Sequence, residues 1–220
     1  MAEPVREGVY ARHLKRPLDI LGAALLLLPA LPLLALAALG VWLTLGRPVL
    51  FRQCRSGRDG VPFTLLKLRS MRPSPAGAAF DPATDAVRLT RFGRWLRASA
   101  LDELPQLWNI LRGEMSLVGP RPLPPDYLPL YSPRQRIRLR VRPGLLGLAQ
   151  ARGRNALGWT ERLEWDARYA VRVTFLGDVA AAAGSLAVLL RGRGTRSPGH
   201  ATSAPLSAGA TDSSPPAGMP

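Results

Sequence analysis

The sequence predicts a mostly helical α+β protein in which a membrane-inserted N-terminal helix precedes a compact domain with a short strand region. Residues 20–45 form an uncharged apolar stretch, and a helix of about 20 such residues suffices to span a bilayer. Residues 61–71 have the composition of a short strand. Apolar residues between 101 and 111 recur at the spacing of a helix with one buried face.

Two features of the apolar stretch leave its path through the membrane open. Pro29 and Pro32 lie near its middle, and each removes a backbone donor and clashes with the preceding turn, so we expect a sharp kink. Basic residues flank both ends, which is unfavourable for a helix that crosses the bilayer. They are Arg12, Lys15 and Arg16 on one side and Arg47, Arg52, Arg55 and Arg58 on the other. A re-entrant hairpin and a kinked spanning helix are both consistent with this pattern.

Asp19 lies just before the uncharged stretch and after Lys15 and Arg16. A carboxylate at the depth of a membrane helix is costly unless it is paired, so we expect a contact with Lys15 or Arg16. The alternative is an exposed acid in the first helical turn.

The rest of the chain divides by composition. Gly57 and Gly60 predict a turn before the strand, and residues 73–87 predict a loop. Residues 114–133 are proline-rich and are expected to be extended or turning. The segment 159–190 predicts two helices broken near Gly177, the second apolar enough to lie on a membrane. The final residues lack apolar periodicity, which predicts disorder.

The charge balance indicates an anionic partner. The chain has 30 Lys+Arg against 15 Asp+Glu, a net charge of +15, and nearly all its basic residues are arginine. Nucleic acid, an anionic membrane surface and phosphorylated ligands all suit such a charge, although arginine usage also follows genomic composition. The single cysteine excludes an internal disulfide, and one Cys with two His cannot supply a four-ligand zinc site.

Asp102 and Glu103 are adjacent acids at a predicted helix start. Asp102 is a natural N-cap, with Pro105 tolerated in the first turn, and Glu103 suits the helix dipole. A helix N-terminus is also where phosphate groups bind. A carboxylate beside a bound phosphoryl group can act as a nucleophile or a metal ligand, so both interpretations stay open here.

Two arginine-bearing segments have phosphate-binding chemistry. Arg121 lies between Pro120 and Pro122, and a guanidinium on a rigid loop is a good phosphate clamp, although a surface turn has the same composition. Glycine-rich turns around Arg142 and around residues 153–155 also suit a phosphate or nucleotide, but the pattern is weak alone.

Three blocks, in this order along the chain, resemble the monotopic phosphoglycosyl transferases of the bacterial sugar transferase family. They are Lys15-Arg16…Asp19, Leu101-Asp102-Glu103-Leu104-Pro105-Gln106-Leu107, and Met115-Ser116-Leu117-Val118-Gly119-Pro120-Arg121-Pro122. Supporting matches are Gln53, Arg55, Gly57, Gly60, Phe63, Lys67, Arg69-Ser70-Met71, Tyr127 to Tyr131, Arg142-Pro143-Gly144, Gly153-Arg154-Asn155-Ala156, and Asp166…Tyr169. The resemblance covers about residues 12–192.

The resemblance implies a re-entrant hairpin that holds a cytoplasmic catalytic domain on the bacterial inner membrane. The implied organisation is a lead at 1–11, the hairpin at 12–46, the catalytic domain with interfacial amphipathic helices at 47–192, and a disordered tail at 193–220. Pro32 resembles the kink proline of the family, with Pro29 as a second break. The sequence departs from the family at Leu31, where a serine is usual, and at Leu146, where a threonine is usual.

The resemblance also implies roles for individual residues. Asp102 would be the nucleophile and Glu103 its acidic partner, and both are candidate ligands of a Mg²⁺ cofactor. Substrate or phosphate contacts are expected from Arg97, Arg121, Lys67, Arg142, Arg154 and Asn155. Lys15, Arg16 and Asp19 would belong to the membrane hairpin, together with the two prolines.

The implied activity is transfer of a phosphosugar from a UDP-sugar to polyprenol (undecaprenyl) phosphate, with release of UMP, as the first membrane step of glycan assembly. Anionic membrane lipids are expected partners. The alternative is a non-catalytic, membrane-anchored basic binding or scaffold protein, which the alternating arginines of residues 134–142 motivate. Nucleic acid is not an expected ligand because no DNA- or RNA-reading motif is present. The sugar, the glycan pathway and the oligomeric state are left open.

Overall fold

The computed structural model describes residues 8–73, 85–153, 156–191 and 206. Most of the loop predicted at 73–87 and almost all of the tail predicted to be disordered lie outside the described residues. Leu206 is described and buried, and it packs with Leu123, Tyr131 and Leu163.

The N-terminal apolar segment is one long helix. A π-helical segment, Tyr10–Leu14, leads into α1, Lys15–Leu45, whose helical assignment runs through Pro29 and Pro32 without interruption. Within the described residues, the segment Tyr10–Leu45 is the one helix long and apolar enough to cross a membrane. Most of its surface is leucine-rich and exposed. A stripe of small residues is buried along the other side: Asp19, Ala23, Ala30, Ala37 and Val41.

Helix α1 packs against the rest of the protein over nearly its whole length. Near its start, a Cβ on Gly22 would lie 2.6 Å from the side chain of Leu117, and near its end a Cβ on Gly40 would lie 2.3 Å from the ring of Phe92. Ala23 and Ala30 belong to a core cluster with Leu65, Leu107, Ile110 and Met115, and Ala37 and Val41 to a second with Leu68 and Leu96. The small side chains of the stripe allow this close approach.

A β-hairpin follows α1. Strands β1, Leu50–Ser56, and β2, Pro62–Leu68, pair in antiparallel register, with Gln53 opposite Leu65. The predicted strand at 61–71 corresponds to β2, and β1 was not predicted because its side chains are mostly exposed and mixed in polarity. The predicted turn is a short 3-10 segment, Arg58–Gly60.

Two short helices and a 3-10 turn bring the acidic pair into place. Helix α2, Asp85–Arg88, precedes α3, Arg91–Ser99, which Thr90 caps by accepting a hydrogen bond from Gly93 N. Ala100 then adopts a left-handed conformation (φ 56°) and reverses the chain into the 3-10 turn Leu101–Glu103. Helix α4, Gln106–Leu111, begins only after Pro105.

This arrangement corrects the predicted role of Asp102 as a helix cap. Its side chain makes no capping hydrogen bond, because Asp102 lies inside the 3-10 turn and Pro105 precedes the first residue of α4. The single helix predicted over 101–111 is therefore divided in two. Leu107 is buried as predicted, whereas Trp108 is 52% exposed and does not belong to the buried face.

The proline-rich part of the chain is mostly irregular, as predicted. Strand β3, Ser116–Val118, pairs in parallel with β4, Gly144–Leu146. Two 3-10 segments, Pro125–Leu130 and Gln135–Arg140, connect them, and the short helix α5, Leu148–Arg152, follows β4.

The chain continues with two helices. Helix α6, Trp159–Val171, and α7, Phe175–Leu190, are separated by residues 172–174. The break predicted near Gly177 was wrong by a few residues, because Thr174 caps α7 by accepting from Gly177 N and so places that glycine in its first turn. Helix α7 exposes large apolar side chains: Phe175, Leu176, Val179, Leu186 and Leu190.

Candidate active site

The 3-10 turn Leu101–Glu103 places two buried acids side by side. Asp102 is 6% exposed and Glu103 is 8% exposed. The turn packs against strand β2, which supplies Lys67, and against helix α3, which supplies Arg97. Buried carboxylates are costly without compensating charge, so the surrounding cations are part of the same site.

Glu103 is bound by two cations through one oxygen. Its Oε1 accepts hydrogen bonds from Lys67 Nζ at 2.7 Å and from Arg121 Nη2 at 2.9 Å. Burial alone would raise the pKa of Glu103, but the charges of Arg121 and Lys67 and their hydrogen bonds outweigh it, so the pKa lies well below its usual value. Glu103 is therefore charged under all physiological conditions.

Asp102 has a different environment. No donor in the described part of the chain makes a hydrogen bond to its carboxylate. Burial raises the pKa of Asp102 to about 6, with the negative charge of Glu103 adding to the effect and the charges of Lys67, Arg97 and Arg121 opposing it. The result is a carboxylate that is mostly ionised at neutral pH and accepts no hydrogen bond from any described residue.

Contacts with residues that follow β2 fix the orientation of the Arg97 guanidinium. Its Nε donates to Ser70 Oγ at 2.9 Å, and its Nη2 lies 3.2 Å from Met71 Sδ. Burial lowers the pKa of Arg97, and the nearby carboxylate of Asp102 opposes this change. An arginine retains its charge at neutral pH in either case, so Arg97 supplies a fixed positive charge near Asp102.

The predicted hairpin residues lie at the junction of α1 with the domain. Asp19 Oδ2 accepts from Ser116 Oγ at 2.7 Å and its Oδ1 from Leu117 N at 3.0 Å, which fixes strand β3. The expected contact with Lys15 is present, with Lys15 Nζ 3.9 Å from Asp19 Oδ1. Arg16 instead donates to the carbonyls of Ile110 and Leu111 at the end of α4.

Lys15 also joins α1 to the C-terminal helices. Its Nζ lies 2.5 Å from Asp178 Oδ2 in α7. Tyr10 OH donates to the same Asp178 oxygen at 2.6 Å, and Tyr169 OH lies 2.7 Å from Asp178 Oδ1. The basic and acidic residues around the start of α1 therefore attach this helix to β3, α4 and α7.

One other predicted substrate residue, Arg142, is not brought to the acidic pair. Arg142 donates from Nε to the carbonyl of Gly113 at 2.9 Å, beside the end of α4 rather than beside Asp102. Arg154 and Asn155 lie outside the described residues. Lys67, Arg97 and Arg121 are the predicted cations that the fold does assemble around the acids.

Arg55 is a cation near the site that was not assigned a role from the sequence. Its Nη2 donates to Gln53 Oε1 at 2.6 Å, and its Nε is buried without a hydrogen-bond partner. Burial and the charge of Arg121 lower the pKa of Arg55 to about 10, although Tyr127 and Glu103 oppose this change. Arg55 is among the residues that resemble the family. It lies on β1, a strand that was not predicted, so its proximity to Arg121 did not follow from the sequence.

The described residues contain no group of three or more His, Cys, Asp or Glu side chains that could hold a metal ion by themselves. Mg²⁺ commonly binds through one or two carboxylates and takes its other ligands from water and substrate phosphates. Glu103 uses only Oε1 in its two ion pairs, which leaves Oε2, and Asp102 is adjacent in the same turn. Glu103 Oε2 and the carboxylate of Asp102 are therefore the candidate ligands for such an ion in this turn.

The assembled site combines a carboxylate free to attack with cations able to bind an anion. Lys67, Arg97 and Arg121 come from three separate parts of the chain. Preorganised cations of this kind stabilise the charge that develops on phosphoryl oxygens during transfer. The arrangement therefore suits the binding of a phosphoryl group beside Asp102.

Comparison with known proteins identifies a family and several relatives of this chain. Residues 10–192 match the family described as bacterial sugar transferase. The chain is 41% identical over 189 residues to the uncharacterized sugar transferase EpsL of Bacillus subtilis, an alignment that covers 86% of this chain and 93% of that protein.

Two further relatives have named activities. The UDP-glucose:undecaprenyl-phosphate glucose-1-phosphate transferase of Caulobacter vibrioides is 50% identical over 154 residues, covering 68% of this chain and 57% of that protein. The Escherichia coli protein of the same name is 39% identical over 184 residues, covering 75% of this chain and 39% of that protein. The chain therefore spans only about half the length of these two relatives.

The match covers the apolar helix α1, the acidic turn and the Arg121 loop together. The chain belongs to the bacterial sugar transferase family, and the expectation of a phosphoglycosyl transferase is confirmed at the level of that family.

Proposed function

We propose that this protein transfers a phosphosugar from a UDP-sugar to polyprenol phosphate through a covalent intermediate on Asp102, with release of UMP. The observation that carries the proposal is the state of Asp102, which is buried, accepts no hydrogen bond from the described residues, and is surrounded by the charges of Lys67, Arg97 and Arg121. The names of the Caulobacter and Escherichia relatives describe transfer of glucose 1-phosphate from UDP-glucose to undecaprenyl phosphate.

In the first step, a carboxylate oxygen of Asp102 forms a bond to the sugar-linked phosphorus of the donor. The bond between that phosphorus and the bridging oxygen breaks, and UMP leaves with the electron pair. The phosphosugar then remains attached to Asp102 as an acyl phosphate. Arg97 and Arg121 are placed to stabilise charge on the phosphoryl oxygens.

In the second step, a phosphate oxygen of the polyprenol phosphate attacks the same phosphorus. The bond to Asp102 breaks and returns the carboxylate, and the product is a polyprenyl diphosphate sugar. The attacking phosphate is already an anion, so no strong base is needed. The cations around the acidic turn suit the binding of this phosphate anion.

A magnesium ion would be held by Glu103 Oε2, with Asp102 adjacent, and would offset the negative charge of the diphosphate as a Lewis acid. Glu103 keeps its charge through Lys67 and Arg121, which also hold it in place. These contacts orient the carboxylate before any substrate arrives.

The membrane part of the proposal is a re-entrant α1 with both ends on the cytoplasmic face. Both halves of α1 pack against the same domain, with Gly22 beside Leu117 and Gly40 beside Phe92. A helix crossing straight through the bilayer would carry one of these contacts away from a cytoplasmic domain. The exposed apolar face of α7 and the excess of arginine suit an anionic membrane surface.

The basic-protein alternative is less well supported by the arrangement of the arginines at 134–142. Arg138 is 3% exposed and bonded to Asp166, and Arg134 is paired with Glu164. These two arginines are therefore neutralised and do not extend a basic surface for a polyanion.

The experiment is UMP release by the full chain in nanodiscs, with Mg²⁺, undecaprenyl phosphate and a panel of UDP-sugars. We expect release with at least one sugar, and a phosphosugar adduct on Asp102 detected by mass spectrometry of acid-quenched enzyme. Asp102→Asn is expected to lose both. Full turnover by that variant would show that Asp102 is not the nucleophile.

A further inference from the structure

A buried ion pair lies behind the Arg121 loop. The side chains of Arg138 and Asp166 are 3% and 5% exposed. Arg138 Nη2 and Nε donate to Asp166 Oδ2 at 2.7 Å and 3.2 Å. Arg138 lies in the 3-10 segment Gln135–Arg140 and Asp166 in α6, so the pair joins two separate elements.

The same guanidinium makes two other contacts. Arg138 Nη1 donates to Tyr131 OH at 3.1 Å, and Arg138 Nη2 donates to the backbone carbonyl of Arg121 at 2.5 Å. Asp166 and Tyr131 therefore fix the orientation of the guanidinium, and the guanidinium in turn fixes the backbone at Arg121. The planar fork of arginine allows one side chain to do this in several directions at once.

The Arg121 loop depends on donors from other parts of the protein. Pro120 and Pro122 have no N–H, so the loop makes few hydrogen bonds of its own. Four successive carbonyls, those of residues 120 to 123, accept in turn from Gly144 N, Arg138 Nη2, Arg55 Nη1 and Ser56 N. The bond to the Arg121 carbonyl is the shortest of the four.

The cost of burying two charges indicates that the Arg138–Asp166 pair positions Arg121 rather than only stabilising the fold. Removing two charges from water costs several kcal/mol per ion, and well-packed apolar residues often stabilise a core equally well. An apolar pair could fill the space between Gln135–Arg140 and α6, but it could not donate to the Arg121 carbonyl. The directional bond is therefore what the charged pair adds.

We propose that Arg138, oriented by Asp166 and Tyr131, is a positioning residue that sets Arg121 for contact with Glu103 and the donor diphosphate. The inference rests on the proposed function. The carbonyl contact restrains the backbone of Arg121, and the guanidinium of the same residue reaches Glu103. Displacement of a reacting group by about 1 Å can lower a rate by about 100-fold.

The test compares Arg138→Lys with a matched control. Lysine keeps the charge facing Asp166 but lacks the fork that reaches Tyr131 and Arg121 together. Glu164→Gln is the control, because Glu164 in α6 pairs with Arg134, the residue just before the 3-10 segment that holds Arg138. We expect kcat/KM for UMP release to fall at least about tenfold in Arg138→Lys and to stay within about twofold of wild type in the control.

A double-mutant cycle with Arg121→Gln separates positioning from general loss of structure. If Arg138 acts through Arg121, Arg138→Lys causes little further loss once Arg121 is replaced. Losses that multiply in the double variant would overturn the positioning role. Should Arg138→Lys fail to fold, Tyr131→Phe replaces it in the same cycle, with the same expected non-additivity.

Loss of the proposed activity and absence of a role for Arg138 would give different results. Wild-type protein that releases no UMP with any donor contradicts the proposed function. Active wild-type protein with an unimpaired Arg138→Lys variant, or with additive losses, contradicts only the role of Arg138.

Discussion

Asp102 and Glu103 are neighbours in one 3-10 turn, but Glu103 accepts hydrogen bonds from two cations while Asp102 accepts none from the described residues. Burial acts on both carboxylates, and only Glu103 has partners that outweigh it. The same turn therefore contains one firmly ionised acid and one whose pKa is raised. This asymmetry gives the two acids opposite contributions to stability.

Asp102→Asn should stabilise the protein while removing activity. The pKa of Asp102 rises from 3.8 to about 6 on folding, so the folded state binds this proton more tightly than the unfolded chain. Stability then falls as pH rises from the ordinary carboxyl pKa to about 6, and it stays lower above that pH. At about pH 7.5 the neutral asparagine should recover about 1–3 kcal/mol.

Thermal unfolding in nanodiscs at about pH 7.5 and about pH 4 measures this effect. The difference in Tm between Asp102→Asn and wild type should be large at the higher pH and small at the lower one. Equal Tm values at both would show that ionised Asp102 carries no folding cost.

Glu103→Gln should change stability in the opposite direction. Its pKa is depressed on folding, so its contribution is present above the ordinary carboxyl pKa and is lost as pH falls through the lower folded value. Glutamine leaves Lys67 and Arg121 facing each other without a counter-charge. Because Arg121 is partly exposed, we expect a loss of about 1–3 kcal/mol in the free energy of unfolding. A variant as stable as wild type would show that the two ion pairs are screened by solvent.

The first chemical step should depend on pH through Asp102. Only the ionised carboxylate can attack, so the rate should fall about tenfold per pH unit below about 6 and level off above it. A single-turnover burst of UMP, measured without polyprenol phosphate, isolates this step from titration of the lipid phosphate. A burst rate that does not change between about pH 5 and about pH 7.5 would contradict a nucleophile with a pKa near 6.

The path of α1 can be tested with the chain's own cysteine. Cys54 is exposed on β1, which follows α1, and Gly8 precedes α1 and has open space at its Cβ position. A re-entrant α1 predicts that Cys54, and a Gly8→Cys site in a Cys54→Ser background, react with a membrane-impermeant maleimide from the same side of the membrane.

Inverted vesicles and intact spheroplasts provide the two orientations for this labelling. Both sites should be labelled in the vesicles and protected in the spheroplasts. Labelling from opposite sides would establish that α1 spans the bilayer.

The sequence by itself determined the elements whose signals are local. An uncharged run long enough for a membrane helix, a strand around residues 62–68 and the acidic pair at 102–103 each follow from composition and spacing. The resemblance to the family also predicted Arg97, Arg121 and Lys67 as site residues. These predictions needed no knowledge of which parts of the chain meet.

Tertiary structure alone decided the electrostatic roles. Asp102 has the local sequence of a helix cap, and only the reversal at Ala100 shows that it lies in a separate turn. Arg142 has the same residue type and turn chemistry as Arg121, but it bonds to Gly113 away from the acids. Burial and charge depend on residues distant in sequence, such as Arg138 with Asp166, and so they are fixed only when the chain has folded.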